Sequence, residues 1–143
     1  MISRIHLVAA VVATLSIASF FTATIFVELF GSVESISTIK RLVVEPGLFI
    51  LIPAVVITGI SGFVCAKGRR GGLISYKMKR MPIIAANGIL VLVPCAIFLN
   101  LSAADGLFDM KFYLIQGVEL IAGATNLTLM GLNIRDGLRM KGY

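Results

Sequence analysis

The sequence has no tryptophan, a single histidine and two cysteines, and charged residues make up only 14% of its 143 positions. Soluble domains carry about 25% charged residues, so this scarcity argues against a soluble globular protein. The two cysteines, Cys65 and Cys95, are not spaced as a redox motif or a metal site and lie in different apolar segments. We therefore expect reduced, buried thiols and no metal centre.

The sequence instead contains long runs of apolar residues. Hydrophobic residues make up 58% of the sequence, and the mean hydropathy is +1.00. A membrane-spanning helix needs about 20 consecutive apolar residues, and four such runs occur, with Glu119 as their only charged residue. The first run is longer than the apolar part of a signal peptide, so we expect an uncleaved helix. The sequence predicts an all-α bundle of four transmembrane helices forming one domain over residues 1–143, with helices at about 5–27, 46–66, 81–104 and 112–134.

The basic residues are distributed unevenly between the connections. Ten of the 13 fall at the two ends of the chain and between the second and third runs, and three fall in the other connections. Because basic residues stay on the cytoplasmic side of inserted helices, both termini are predicted to be cytoplasmic. Nucleic-acid binding is not expected, since the charges lie between apolar runs. The central connection carries the residues predicted to contact anionic lipid headgroups, although topology alone also explains them: Lys67, Arg69, Arg70, Lys77, Lys79 and Arg80.

Prolines and connections refine these boundaries. Pro46 and Pro82 stand at the starts of two runs, where the missing N–H is tolerated, and therefore predict helix starts. Pro53 and Pro94 lie inside runs and predict kinks. The stretch Val33–Val44 is expected to form a short helix at the membrane interface.

A polar seam runs along the fourth predicted helix at alternating spacings of three and four residues. Such a stripe lies on one helix face and must point inward in lipid. A row of small residues, Gly117, Ala124, Thr128 and Gly131, runs beside it, and the first two helices carry similar rows that predict a compact bundle. The polar seam consists of Gln116, Glu119, Gly123, Asn126, Met130 and Asn133.

Several interpretations of these residues remain open. The amides fit hydrogen bonds between helices, whereas Glu119, neutral or paired, also fits a proton relay or a substrate contact. Gln116 is further predicted to donate to the carbonyl of Phe49, which Pro53 leaves without its helical donor. His6 fits an interfacial side chain with one end in water and one end packed, and with Met130 at a similar depth it also fits a haem b or quinone site.

Two stretches also carry a resemblance to known proteins. KMKRMPIIAANGILVLVPCAIFL and FYLIQGVELIAGATNLTLMGLNIRDGL, together with ELFG at the end of the first run, resemble a family of uncharacterised bacterial inner-membrane proteins of about this length. The resemblance implies a multi-pass protein of the bacterial inner membrane and brings no activity or functional residue. Asn87, Glu119, Asn126 and Asn133 all lie in the resembling stretches.

Three functions remain as hypotheses. No catalytic triad, phosphate loop or metal motif occurs in the sequence, which favours a non-enzymatic subunit. It is expected to assemble with itself or with another membrane protein through the small-residue rows and the basic central connection. One alternative is a small transporter or proton-conducting subunit using Gln116, Glu119 and Asn126. Another is an electron-transfer subunit that binds haem or quinone through His6.

Overall fold

The computed structural model describes residues 1–140, and within that range the chain is entirely helices, turns and short connections. Lys141, one of the residues behind the predicted topology, lies outside the described residues. The helices are α1 (Ile2–Phe30), α2 (Val33–Leu42), α3 (Phe49–Ala66), α4 (Gly72–Asn87), α5 (Val93–Ala104) and α6 (Met110–Arg139).

A kinked segment joins α2 to α3, and a segment with wider, π-helical turns joins α4 to α5. Val43–Leu48 connects α2 to α3, with Glu45 in an extended conformation because it precedes Pro46. Gly88–Leu92 connects α4 to α5 immediately before Pro94, whose ring would collide with a regular helical carbonyl four residues earlier. The predicted irregularity at Pro94 is therefore present as a wider turn.

Local side chains define the other helix boundaries. The Ser32 hydroxyl accepts a hydrogen bond from the Ser35 N–H at the start of α2, and the Asp109 carboxylate accepts one from the Phe112 N–H at the start of α6. Gly68 and Gly71 have positive φ angles of 83° and 152°, which end the turn between α3 and α4.

Two predicted helix starts are wrong. The third predicted helix begins at Gly72 rather than near Pro82, because the Lys- and Arg-containing stretch after Gly71 has good helix formers and continues into the apolar run. Pro46 lies in the kinked segment, and α3 begins at Phe49. The predicted helix within Val33–Val44 is confirmed as α2.

Among residues 1–140, three helical stretches are long and apolar enough to cross a membrane: Ile2–Phe30, Val33–Ala66, which includes the kink at Glu45, and Gly72–Ala104. Each exceeds the roughly 20 residues that the hydrocarbon core requires. Helix α6 has 30 residues and sufficient length, but its polar seam makes it less apolar than these three. The structure thus supports an all-helical protein with three candidate membrane spans and a further C-terminal helix.

The helices form a four-membered bundle with α2 packed at one end. Helix α1 packs most extensively against α3, while α6 lies between α1 and the rod formed by α4 and α5. Ser3, Arg69 and Met140 line one cavity, so the start of α1, the α3–α4 turn and the end of α6 share one end of the bundle, here called the basic end. At the opposite end, α2 packs against α1 and α5 around Ile36 and Leu99.

Candidate functional site

The polar seam of α6 faces the interior of the bundle. Gln116 and Asn126 are 4% and 1% exposed, and Met130 is buried with them. Glu119 and Asn133 are partly buried. Their placement on one buried face agrees with the helical spacing, whereas a functional role for them stays a prediction. The described contacts divide the seam into three clusters at different depths.

The first cluster lies at the end opposite the basic end and contains an ion pair. The Lys40 ammonium lies 2.9 Å from Glu119 Oε2, with side-chain exposures of 1% and 13%. The Gln116 amide donates to the same carboxylate oxygen over 3.0 Å. Glu119 is therefore paired, one of its two expected states. The prediction that Gln116 donates to the Phe49 carbonyl is wrong, because its amide is directed at Glu119 within its own helix.

The sequence interpretation identifies neither Lys40 nor, at the other end of the seam, Asp136 as a member of these clusters. In the sequence Lys40 is one of three basic residues in the outer connections. However, Ile36 and Lys40 are four residues apart in α2 and both are buried, so the lysine lies on the apolar face of an amphipathic helix. A charged residue in that position indicates a buried partner, although the pattern alone does not identify Glu119.

Two oxygens in this region lack a hydrogen-bond donor among the described residues. They are Glu28 Oε1 and Gln116 Oε1, and both atoms are buried. Buried polar atoms are normally satisfied, so each is a place where a proton or a water molecule would be stabilised. Glu119 also lines a small cavity of about 50 Å³ whose walls include Phe20, Phe21 and Leu51.

The second cluster joins α4 to α6 near the middle of the bundle. The Asn87 amide donates to the Ala122 carbonyl at 2.9 Å and to Asn126 Oδ1 at 2.8 Å. The Asn126 amide donates back to the Ile84 carbonyl at 3.3 Å. Side chains on both helices thus bond to the facing backbone, an arrangement that holds the two helices in register.

The third cluster lies toward the basic end. Arg80 Nη1 donates to Asp136 Oδ2 at 2.6 Å and to Asn133 Oδ1 at 3.4 Å, and Arg135 lies 3.2 Å from the other Asp136 oxygen. The hydrogen bond from Arg80 is the main cause that lowers the pKa of Asp136 below its ordinary value. Arg80 is 20% exposed and joins α4 to α6, while its predicted contact with lipid headgroups stays a prediction.

The other predicted headgroup residues are placed differently from Arg80. Lys67, Arg69, Arg70 and Lys79 are exposed on and beside the α3–α4 turn. Lys77 is half-buried and, together with Arg69, lines the larger of the two cavities described here. The basic connection of the sequence is thus a short turn followed by the first turns of α4.

His6 and Met130 line that same cavity, which measures about 220 Å³ and lies among α1, α3, α4 and α6. His6 Nδ1 lies 3.2 Å from both the Thr58 carbonyl and the Ser61 hydroxyl, which orients the imidazole. Ligand pockets commonly measure about 300–1,000 Å³, so this cavity is smaller than most. The haem and quinone sites both stay predictions.

The small-residue row of α6 is not packed inside the bundle. Ala124, Thr128 and Gly131 are exposed, and a Cβ atom added at Gly117 or Gly131 would contact nothing within 4 Å. Gly117 and Asn126 are nine residues apart, or about two and a half helical turns, so the row and the polar seam occupy opposite faces. We call this row the outer row.

The described residues contain no group of three or more His, Cys, Asp or Glu side chains that would hold a metal ion. No protein-family model, curated protein or solved structure matches the chain.

Proposed function

We propose that this chain is a non-catalytic protein of the bacterial inner membrane that crosses the bilayer four times and assembles with a second copy of itself. The outer row of α6 is the proposed contact. The single observation that carries the proposal is that these small residues lie uncovered, directly opposite a face of α6 that is filled with hydrogen bonds.

The fourth crossing is proposed for residues 112–134 of α6. A polar helix face is tolerated in lipid when its groups are satisfied by neighbouring helices. Glu119, Asn126 and Asn133 each contact a side chain of α2 or α4. Only the less polar outer face would then meet lipid or a partner.

The proposed orientation places the basic end, with both termini, in the cytoplasm. It rests on the excess of Lys and Arg at the chain ends and around the α3–α4 turn. The inner-membrane location rests on the resemblance of residues 77–99 and 112–138 to bacterial inner-membrane proteins.

Small residues favour assembly because they allow two helix backbones to approach closely in lipid. Helix packing and hydrogen bonding then supply the association energy, since apolar side chains gain little by leaving lipid for protein. The Thr128 hydroxyl donates to the Ala124 carbonyl at 2.8 Å within α6, so the row presents no unsatisfied hydroxyl to a partner.

The test is the mass of the purified protein in mild detergent, with identification of every co-purifying protein. We expect a dimer for the native chain and a monomer for Ala124→Leu, because leucine would keep the helices apart. Val118→Leu is the control, since Val118 is exposed on the same helix about 100° away from Gly117. A native protein that is monomeric at every concentration, with nothing co-purifying, contradicts the proposal. If a different protein co-purifies with the native chain and is lost only from Ala124→Leu, the outer row binds that protein rather than a second copy.

Proton conduction is a second candidate, favoured by the two unsatisfied oxygens of Glu28 and Gln116 near the Lys40–Glu119 pair. Glu119→Gln keeps the side-chain shape but cannot exchange a proton. We then expect it to abolish proton flux in reconstituted vesicles, while Glu34→Gln, on an exposed residue of α2, leaves flux unchanged. Equal flux in native protein and Glu119→Gln would remove this candidate.

A further inference from the structure

Glu28 is the acidic residue that, among residues 1–140, is neither exposed nor held in an ion pair. The sequence contains seven Asp and Glu residues. Glu119 and Asp136 form ion pairs. Four others are exposed, so that water solvates their charge: Glu34, Glu45, Asp105 and Asp109. Glu28 is partly buried, and its buried Oε1 atom has no hydrogen-bond donor in that range.

Glu28 lies near the end of the bundle where α2 packs, here called the α2 end. Val27, its neighbour in the chain, packs in one hydrophobic cluster with Phe112. Gln116 and Glu119 follow Phe112 in α6 by four and seven residues, which places them about 6 and 10 Å deeper in the bundle. The order from the α2 end inward is therefore Glu28, Gln116 and Glu119.

Gln116 is directed into this group of acidic residues. It is 4% exposed, and its Nε2 donates to Glu119 Oε2 at 3.0 Å. Its own Oε1 is buried and has no donor among the described residues. Buried oxygens of this kind are normally paired with a donor, and a protonated carboxyl group has an O–H to donate. Two oxygens that lack a donor thus lie near the α2 end.

The charges around Glu28 do not balance when every group is ionised. Among the described residues, Lys40 and Glu119 are the groups whose charges act on Glu28. Helix α1 also packs against α3, which contains no charged residue. Two carboxylates and one ammonium leave a net negative charge, which is costly to bury, and one proton would neutralise it. The other charged residues of α2 and of the first half of α6 are exposed: Glu34, Arg41 and Lys111.

The hydrogen bonds indicate which carboxyl group holds the proton. Glu119 Oε2 accepts bonds from the Lys40 ammonium at 2.9 Å and from the Gln116 amide at 3.0 Å, and both favour its ionised form. Glu28 Oε1 receives no such bond from the described residues. A metal ion fits less well than a proton, because it needs several oxygen ligands and the Lys40 ammonium would repel it.

We propose that Glu28 carries one exchangeable proton, while Glu119 stays ionised beside Lys40. On release, the O–H bond of the Glu28 carboxyl group breaks and the proton passes to water at the α2 end, where Gly31 and Ser32 are exposed. Uptake reverses this step. The inference deepens the proton-conduction candidate, on which any role in transport rests, because it identifies the residue that exchanges the proton with the aqueous phase.

Infrared spectroscopy of the purified full chain tests this protonation state directly. Dodecyl maltoside is the detergent because it has no carbonyl group, and spectra in H₂O and D₂O identify a protonated carboxyl group by its shift on deuteration. At pH 7 we expect one such band, which disappears at alkaline pH. Glu28→Gln should lose the band. Glu34→Gln, at an exposed acidic residue, is the control and should keep it.

A second variant tests the dependence of Glu28 on the ion pair. Glu119→Gln removes the carboxylate that pairs with Lys40, so Glu28 should become ionised and take its place beside the ammonium. The carboxyl band should then be lost at pH 7 although Glu28 is still present. Glu45→Gln, at another exposed acidic residue, should leave the band unchanged. Circular dichroism verifies that each variant is folded.

Three results would overturn the proposal. They are a band that persists in Glu28→Gln, a band that is unaffected by Glu119→Gln, and the absence of any protonated carboxyl band from the native protein at pH 7. In the last case, a melting temperature that rises with sodium chloride but not with choline chloride would assign a metal cation to the cluster instead. The spectrum is measured without transport, so a native protein with the Glu28 band but no proton flux would remove the conduction candidate and retain this proton site.

Discussion

The ammonium of Lys40 lies 2.9 Å from the carboxylate of Glu119, although the two residues are 79 positions apart in the chain. The contact joins α2 to α6 at the end of the bundle opposite the basic end. Both partners are largely removed from solvent, so each charge depends on the other.

Removing one partner of this pair should destabilise the protein strongly. Lys40→Met leaves the Glu119 carboxylate without its counter-charge, and we expect a loss of about 3 kcal/mol or more in the free energy of unfolding. The double variant Lys40→Met with Glu119→Leu should recover most of that loss, because no unpaired charge remains. Denaturant unfolding in detergent, followed by circular dichroism, measures the free energy of unfolding of the single and the double variant. A single variant as stable as the native protein would show that the pair carries little energy.

Asn126 should contribute to stability through its bonds to α4. Asn126→Leu removes its contacts with Asn87 and the Ile84 carbonyl, and we expect a loss of about 1 kcal/mol. Thr125→Val is the matched control, because among the described residues the exposed Thr125 hydroxyl bonds to the Ile121 carbonyl of its own helix alone. The same unfolding assay compares the two variants. Equal losses would contradict a specific bond between α4 and α6.

Asp136 should make the stability depend on pH. The pKa of Asp136 is lowered in the folded protein, mainly by the hydrogen bond from Arg80. Its contribution to the free energy of unfolding is therefore fully present above the ordinary carboxyl pKa. The contribution should decrease as the pH falls through the lowered value. Asp136→Asn should therefore melt at a lower temperature than the native protein at pH 7, with a smaller difference in acid. A difference in melting temperature between the native protein and Asp136→Asn that stays constant from pH 7 to pH 3 would contradict this prediction.

Two glycines should respond oppositely to the same substitution. A Cβ atom at Gly47 would lie 2.7 Å from the Phe20 ring and 2.8 Å from the Leu42 carbonyl, so Gly47→Ala should cost about 1–3 kcal/mol. Gly59 has open space around it and lies inside α3, so Gly59→Ala should stabilise the helix by up to about 1 kcal/mol. The melting temperatures of Gly47→Ala and Gly59→Ala test how tightly the kinked α2–α3 segment is packed. Stabilisation by both substitutions would contradict the packing at Gly47.

The sequence predicts the features that depend on local periodicity. Apolar runs indicate the long helices, and the three- and four-residue spacing of Gln116, Glu119 and Asn126 indicates the buried face of α6. The start of α4 was mispredicted because Pro82 was interpreted as a boundary, whereas the backbone conformation of Gly71 determines where the helix begins. Proline inside a helix and proline at its start are difficult to distinguish from one sequence.

Long-range contacts could not be predicted in the same way. The burial of Lys40 depends on Glu119, and the role of Arg80 depends on Asp136, 56 positions later. Small residues indicate close packing without specifying the partner, so the sequence does not decide whether the outer row faces the bundle or a second copy. The cavity at the basic end results from four helices together, so it has no signature in any one of them.

Disulfide cross-linking of α6 in native membranes tests self-assembly through the outer row most directly. In a background with Cys65 and Cys95 replaced by serine and alanine, Ala124→Cys introduces a thiol into the outer row. Thr125→Cys introduces one at nearly the same depth, about 100° around the helix. We expect covalent dimers to form from Ala124→Cys under mild oxidation, and few covalent dimers to form from Thr125→Cys. Equal cross-linking at both positions, or none at Ala124→Cys, would contradict self-assembly through this face.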